Sequence, residues 1–385
     1  MIPSVGPLRG GPSEVIRTMV RGLAETGLEV HVATTDDNGR GRLAVPLGIP
    51  VSQEGATYWY FSRQTRFYNF SWPVSRWLAG QVRHYDLVHI HALFSYTTLP
   101  AAVYSSRLGV PYIIRPLGTL NRWGMQNQHP WLKRLSFRLI ESRMLARAAA
   151  IHYTSEQERL EAAELGVDQR AIIIPNAVDL THRLLPESRG GFRKRYPQTE
   201  GHKIILFLSR LDRKKGLDLL LPAFALVRAL CPKVKLIIAG NGDPAFVANL
   251  QKQASLLGIG ADTIWAGFLA GDERWAALGD ADLFVLPSYS ENFGVAAVEA
   301  MACGLPVVIS DQVAIHREVA EAGACLVVPC NAESLAESLA RLVNDDPLRA
   351  RMGEQGSALA RGHFSREAVA RKLCDAYSDV ISLWN

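Results

Sequence analysis

The stretch SYSENFGVAAVEAMACGLPVVISD, residues 288–311, decides how the chain is read. After Phe293 its residues are small or apolar, the pattern of a buried helix, yet Glu299 stands in the middle of the run. Eight positions earlier, Glu291 stands just before it. A buried carboxylate is costly unless a cation or a hydrogen-bond donor holds it. DLFVLPS (282–288) before the run and PVVISD (306–311) after it read as strands. Strand, loop, helix and strand in that order indicate a parallel sheet.

Outward from this stretch, the same alternation covers the chain. In the first half, LEVHVATT (28–35), DLVHIHA (86–92), PYIIRPLG (111–118) and AAIHYTS (149–155) read as strands between helix-like segments. The second half restarts with KIILFLSR (203–210), VKLIIAGNG (234–242) and TIWAGFL (263–269), and after PVVISD it adds CLVVP (325–329). The polar, basic stretch at 181–202 is rich in Gly and Pro and separates the two runs. The expected architecture is α/β, with two facing doubly wound parallel-sheet domains and a cleft between them. The domains are 1–180 and 203–363, with a linker at 181–202 and a terminal helix over 364–385 crossing back to the first domain. Ligands of such sheets bind beyond the carboxyl ends of the strands. Only residues 1–5 precede the loop GPLRGG, so the first strand is short and the natural start is expected upstream. The intact mass of natively expressed protein tests that expectation.

Composition excludes several classes. The 385 residues are 48% hydrophobic and 21% charged, as in a globular protein of two domains. The five cysteines form no CxxC pair, so neither a disulfide framework nor a zinc site is indicated. No apolar stretch reaches the roughly 18 residues of a membrane span. The net charge of +5 suits anionic ligands without implying nucleic acid. These features together predict a cytoplasmic protein.

Were the interval from Glu291 to Glu299 helical, the two carboxylates would lie about 12 Å apart. The nucleophile and acid of a retaining glycosidase are about 5–5.5 Å apart, which speaks against a hydrolase dyad. Two readings of Glu299 stand: an internal salt bridge, or one end of a site for an elongated ligand whose other end faces Glu291. Gly294 lets a ligand approach the start of the helix, and Asn292, Phe293 and Val295 offer first-turn N–H groups. In LFLSRLDRKKGLDLLLPAF (206–224), Arg210 and Lys215 lie in a strand-to-helix connection, where their charges converge on a diphosphate. Arg213 and Lys214 read as solvated loop residues. In GPLRGGPSEVIRTM (6–19), Gly10 and Gly11 open a helix, either as an approach loop for phosphate or sugar or as a turn without a ligand.

These motifs, in this order, resemble retaining glycosyltransferases of family 4, with the GT-B fold. The resemblance rests on GG after the first strand, IIIPNAVD (172–179), SRLDRKKG, AGNGD (239–243) and the E-x7-E from Glu291 to Glu299, and it spans essentially the whole chain. It implies a hexosyltransferase that uses a nucleotide-diphosphate sugar, with no cofactor and no metal. It further implies that Glu299 holds the ribose and that Arg210 and Lys215 bind the diphosphate. Glu291 and the backbone of Asn292, Phe293, Gly294 and Val295 would hold the donor sugar and neighbouring phosphate. Gly10 and Gly11 would meet diphosphate or acceptor, and the backbone at Phe268 and Leu269 the base. One departure stands out: Leu117 occupies the place where many relatives carry a His that touches donor sugar or acceptor. On the acceptor side, His91 and Arg115 are candidates, His91 with the alternative of a core residue.

Residues 122–150 interleave Trp and Leu with Lys and Arg, and from about Pro130 they read as an amphipathic helix with a basic face. Together with TYWYFSRQTRFYNFSW (57–72), the segment suggests a lipid-linked or glycan acceptor and peripheral contact with the inner face of a membrane, in polysaccharide or glycolipid synthesis. The alternatives are a catalytically silent sugar-nucleotide-binding protein and a GT-B sugar-nucleotide epimerase.

Overall fold

The computed structural model describes residues 1–126, 130–180 and 190–384. The chain forms two compact units, one of residues 1–177 with 366–385 and the other of residues 178–365.

In the first unit, β1 (His31–Thr35), β4 (Pro50–Gln53) and β5 (Ala56–Phe61) form one sheet in the order β1-β5-β4, with a small hairpin of β2 (Asp37–Asn38) and β3 (Gly41–Arg42) beside it. A second, all-parallel sheet runs in sequence order through β6 (Val88–His91), β7 (Tyr112–Arg115), β8 (Ala150–Tyr153) and β9 (Ala171–Ile173). The extended first residues bridge the two sheets: Ile2 N–H donates to Ala33 O, and His91 N–H donates to Met1 O, at 3.1 and 2.8 Å. They fill the place of a central strand without a regular ladder. The aromatic stretch beginning at Thr57 turns out to supply β5, whose Tyr58 and Tyr60 are buried. Helix Arg366–Trp384 belongs to this unit: Val369 and Leu373 join Ile16, Met19 and Leu23 of helix Gly11–Glu25 in one core.

The second unit holds six parallel strands: β10 (Lys203–Leu208), β11 (Val234–Ala239), β12 (Thr263–Gly267), β13 (Leu283–Leu286), β14 (Val307–Ser310) and β15 (Cys325–Val328). Their order is β12-β11-β10-β13-β14-β15. The strands are nearly continuous runs of Val, Ile, Leu and Phe because helices cover both faces of such a sheet. The order reverses between β10 and β13, and in sheets of this kind ligands bind at the carboxyl ends of the strands at such a reversal. That places the loops after Leu208 and Leu286, and with them the opening stretch, at the switch point.

Two sequence expectations change. Of the linker expected at 181–202, residues 181–189 lie outside the described residues, and 190–202 are folded within the second unit. Phe192 is buried there, and the Asp280 carboxylate accepts the Gly190 and Arg193 N–H groups. The boundary falls at 177/178 instead, because Val178 N–H donates to Phe364 O, tying that residue to the end of the second unit.

Candidate functional site

At the carboxyl end of β10 the chain enters the loop 209–216. Asp212 caps a short 3-10 turn over Arg213–Lys215 by accepting the Lys214 N–H, and Gly216 ends the turn in the left-handed region, at φ 70°. A Cβ on Gly216 would lie 1.9 Å from Pro287 O, so only glycine lets this loop lie against the loop after β13. The two loops are also tied by Tyr289 N–H to Lys214 O at 2.7 Å and by the Tyr289 hydroxyl to Asp218 at 2.8 Å.

This packing brings Lys215 onto Glu291, where the ammonium and carboxylate form an ion pair with side chains only 7% and 17% exposed. Burial pushes the Glu291 carboxyl up, but the charges of Lys215 and Lys214 and the Phe293 N–H outweigh it and hold the group below the ordinary carboxylate range. Lys214, read from sequence as solvated, is half-buried. Burial lowers its pKa, and the nearby Lys215 and Arg210 charges add to this against Glu291 and Asp212. Arg210 is exposed and has no carboxylate partner among the described residues. Arg210, Lys214 and Lys215 against the two carboxylates of Asp212 and Glu291 leave an excess of positive charge at the switch point, the electrostatic condition for binding an anion.

Glu291 itself is fixed by its backbone, which pairs with Gln312 O and Ala314 N–H. Helix Val295–Ala302 follows, entered through Gly294 at φ 86°. Phe293 is buried against Phe364, and its N–H is engaged by Glu291. One turn into the helix Glu299 is 5% exposed and pairs with the Arg274 guanidinium at 3.2 Å. A salt bridge is therefore present, but it is not sealed in the core. The Arg274 side chain is 31% exposed, and its Nε is buried without a partner. Arg274 was not singled out from sequence; a lone cation in the acidic turn GDER (271–274), just past Phe268 and Leu269, was the available signal. Phe268 is exposed and Leu269 buried, so Phe268 is the more accessible of that pair. Leu269 lines an open, mostly apolar pocket of about 250 Å³ with Phe192, Arg195, Asp272, Glu273 and Ala276. Among the described residues no three His, Cys, Asp or Glu side chains are grouped as metal ligands.

The remaining candidates lie in the first unit. Gly10 (φ 71°) and Gly11 are exposed at the start of helix Gly11–Glu25, and a Cβ on either would meet nothing within 4 Å. His91 is buried, with Nδ1 unpartnered, and its ring lies 4.2 Å from that of His89. Burial, with the His89 and Arg115 charges, drives its pKa well down. Arg115 is also buried; it donates to Asn176 Oδ1, and burial lowers its pKa to about 10. Both side chains thus sit within the fold of their unit, not on its surface.

Backbone strain marks the same strand ends. Ala92 (φ 74°) and Phe94 (φ 53°) follow β6, and Leu117 (φ 57°) follows β7. Side chains rarely adopt this region, and such residues cluster at functional loops. The Leu117 turn is pinned by Glu158, a buried carboxylate that accepts the Gly118 N–H at 2.6 Å and the Thr154 N–H and hydroxyl at 2.7 and 2.8 Å. Glu158 was missed in the sequence, although Ser155 and Glu158 have the spacing of a capping box.

Comparison with known proteins follows the same division. A model of glycosyl transferases group 1 matches residues 189–358, and a glycosyl transferase 4-like domain matches 10–177. The D-inositol 3-phosphate glycosyltransferase of Stackebrandtia nassauensis is 27% identical over 97% of this chain and 87% of its own. An uncharacterized glycosyltransferase of Methanocaldococcus jannaschii is 31% identical over 50% of this chain, and the chain spans about half of that relative, 48%. In structure, Anabaena HepE in complex with UDP and glucose superposes with a TM-score of 0.77 at 20% identity, over 98% of each chain. With both halves matched in order by glycosyltransferase families and nearly its whole length matched in fold, the chain belongs to the group 1 glycosyltransferases and has the GT-B fold.

Proposed function

We propose that the protein transfers a sugar from a nucleotide-diphosphate sugar to a glycan or lipid-linked acceptor, with retention and without a metal ion, in cell-surface polysaccharide or glycolipid synthesis. The observation that carries the reading is the Lys215–Glu291 ion pair with Lys214 beside it and Arg210 beside Lys214, at the switch point of the second unit's sheet. As the bond from the anomeric carbon to the diphosphate oxygen breaks, charge gathers on the leaving group, and Arg210 and Lys215 stabilise it there. The new bond to the acceptor oxygen forms on the same face, and the acceptor proton passes to the departing phosphate. Glu291 and the backbone of Gly294 and Val295 hold the sugar and near phosphate. Glu299, oriented by Arg274, takes the ribose hydroxyls, and the main chain at Phe268 and Leu269 meets the base. The complex of the Anabaena neighbour with UDP and glucose supports a nucleotide donor. Gly10 and Gly11 offer an open loop for diphosphate or acceptor, while His91 and Arg115 shape the acceptor side from within the first unit.

Thermal-shift screening against UDP-, GDP- and ADP-sugars identifies the donor, since a ligand at 100 times its Kd adds about 2.7 kcal/mol of stability. Release of nucleoside diphosphate that requires both donor and acceptor then establishes transfer. Glu299→Ala is expected to weaken nucleotide binding at least tenfold, by about 1.4 kcal/mol or more. Arg210→Ala is expected to lower turnover roughly 100-fold, by about 2.7 kcal/mol of transition-state stabilisation, while donor binding persists. Wild-type turnover in both variants would refute the site. Leu117, where the resemblance to family 4 implies a His, favours a second reading, a binding protein without transfer. Donor binding with no release of diphosphate for any acceptor would select it.

A further inference from the structure

We infer that the helical run over residues 130–146 is a docking face for an anionic lipid bilayer, with Trp131, Leu135 and Leu139 entering the headgroup layer. The run consists of helix Pro130–Ser136, a π turn over Phe137–Glu141 and helix Ser142–Ala146. Its inner side is set by Glu141, Met144 and Leu145, all buried. On the outer side Trp131, Leu135 and Leu139 recur every four residues, 66%, 49% and 47% exposed. Four-residue spacing lines side chains up along one helix face. Arg134, Arg138, Arg143 and Arg147 are exposed along the same run, and none pairs with a carboxylate among the described residues. Glu141, the only acid between 130 and 147, faces inward and accepts hydrogen bonds from Ser136 and from Tyr68 at 2.8 Å. The Tyr68 bond also ties the loop carrying Phe67, which is 77% exposed, to this helix.

The chemistry of the face selects its occupant. Four arginines without acids call for a negatively charged partner, and interleaved Trp and Leu call for an apolar phase behind that charge. A bilayer with anionic headgroups supplies both, whereas a soluble polyanion supplies only the first. A second copy of the chain would set arginines against arginines across an isologous contact. No helix among the described residues is long and apolar enough to span a membrane, so contact through this run is peripheral. The inference extends the lipid-linked acceptor reading, but its test reads no sugar transfer and stands or falls separately.

The full chain is to be cosedimented with vesicles of phosphatidylcholine alone and with 30–40% phosphatidylglycerol (roughly, enough to set a surface potential of tens of millivolts). Binding is expected only to the anionic vesicles and is expected to fall steeply when salt is raised. Arg134→Gln with Arg138→Gln is expected to weaken partitioning on the order of tenfold, and Leu135→Ser with Leu139→Ser by a similar factor. Both pairs should leave nucleotide-sugar binding and the melting temperature unchanged. Lys252→Gln with Arg351→Gln, exposed cations of the second unit, should bind vesicles like wild type. Equal binding to both vesicle types, no vesicle binding at all, or wild-type binding by the arginine pair would overturn the inference. So would retention on heparin that the arginine pair loses while vesicles are ignored, which would assign the face to a soluble polyanion.

Discussion

At the residue scale, the second unit's site is built from charges that hold one another in place. Lys215 is almost fully buried, and its ammonium faces Glu291; removing one partner of such a pair leaves the other desolvated and uncompensated. Glu291→Gln is therefore expected to destabilise the ligand-free protein by about 2–3 kcal/mol, toward the lower end for a pair that is not fully sealed. It also frees Lys215 for a phosphate. Scanning calorimetry should then show a larger stabilisation by nucleoside diphosphate in the variant than in wild type, and equal stabilisation would disprove the coupling. The same logic explains why Glu299 alone told so little in the sequence. Its spacing from Glu291 was visible, but the cation that orients it, Arg274, comes from another helix and stands 25 positions away.

At the element scale, packing forces the strand-end loops of the candidate site into fixed shapes. Gly216 shows how tightly: both its φ of 70° and the Pro287 carbonyl exclude a side chain. Gly216→Ala is expected to cost at least about 2 kcal/mol, from left-handed strain plus the clash. For a unit of this size, that is a fall of roughly 4–8 °C in melting temperature. Gly109→Ala, at φ 73° and ψ 15° in the same left-handed region but with open space around it, should cost only about 1 kcal/mol. Similar losses for the two variants, measured by thermal unfolding, would refute the packing argument. The glycines were legible as loop markers; which of them is sterically required was not, because that depends on a carbonyl 71 residues away along the chain. The strained Ala92, Phe94 and Leu117 had no signature at all, since nothing in those residue types favours positive φ.

At the scale of the whole molecule, the first unit carries a buried group of titratable rings. His89 lies between His91 and His152 and meets the Tyr377 hydroxyl, with Arg115 in the same region. Burial, reinforced by these mutual charges, lowers His89 and His91 well below their ordinary values and His152 to about 3. Unfolded, these side chains bind protons near pH 6.5, and folded they do not, so stability is full above that pH and is lost as pH falls through it. Each group removes up to about 1.4 kcal/mol per pH unit in that window. Denaturant unfolding of the first unit should thus weaken from pH 7 to pH 5, and His152→Gln should flatten the slope; an unchanged slope would refute the assignment. What the sequence by itself determined is the succession of the second unit's six strands, the strands β1, β6, β7 and β8 of the first, and the existence of two units, because hydrophobic periodicity and Gly placement act locally; β4, β5 and β9 were not marked. What only the tertiary structure decided is which charges pair and which are left over. Lys215 meets Glu291, Arg274 meets Glu299 and Arg115 withdraws into the core because those contacts arise where the sheet brings distant strand ends together, and burial then sets the cost of leaving each charge alone.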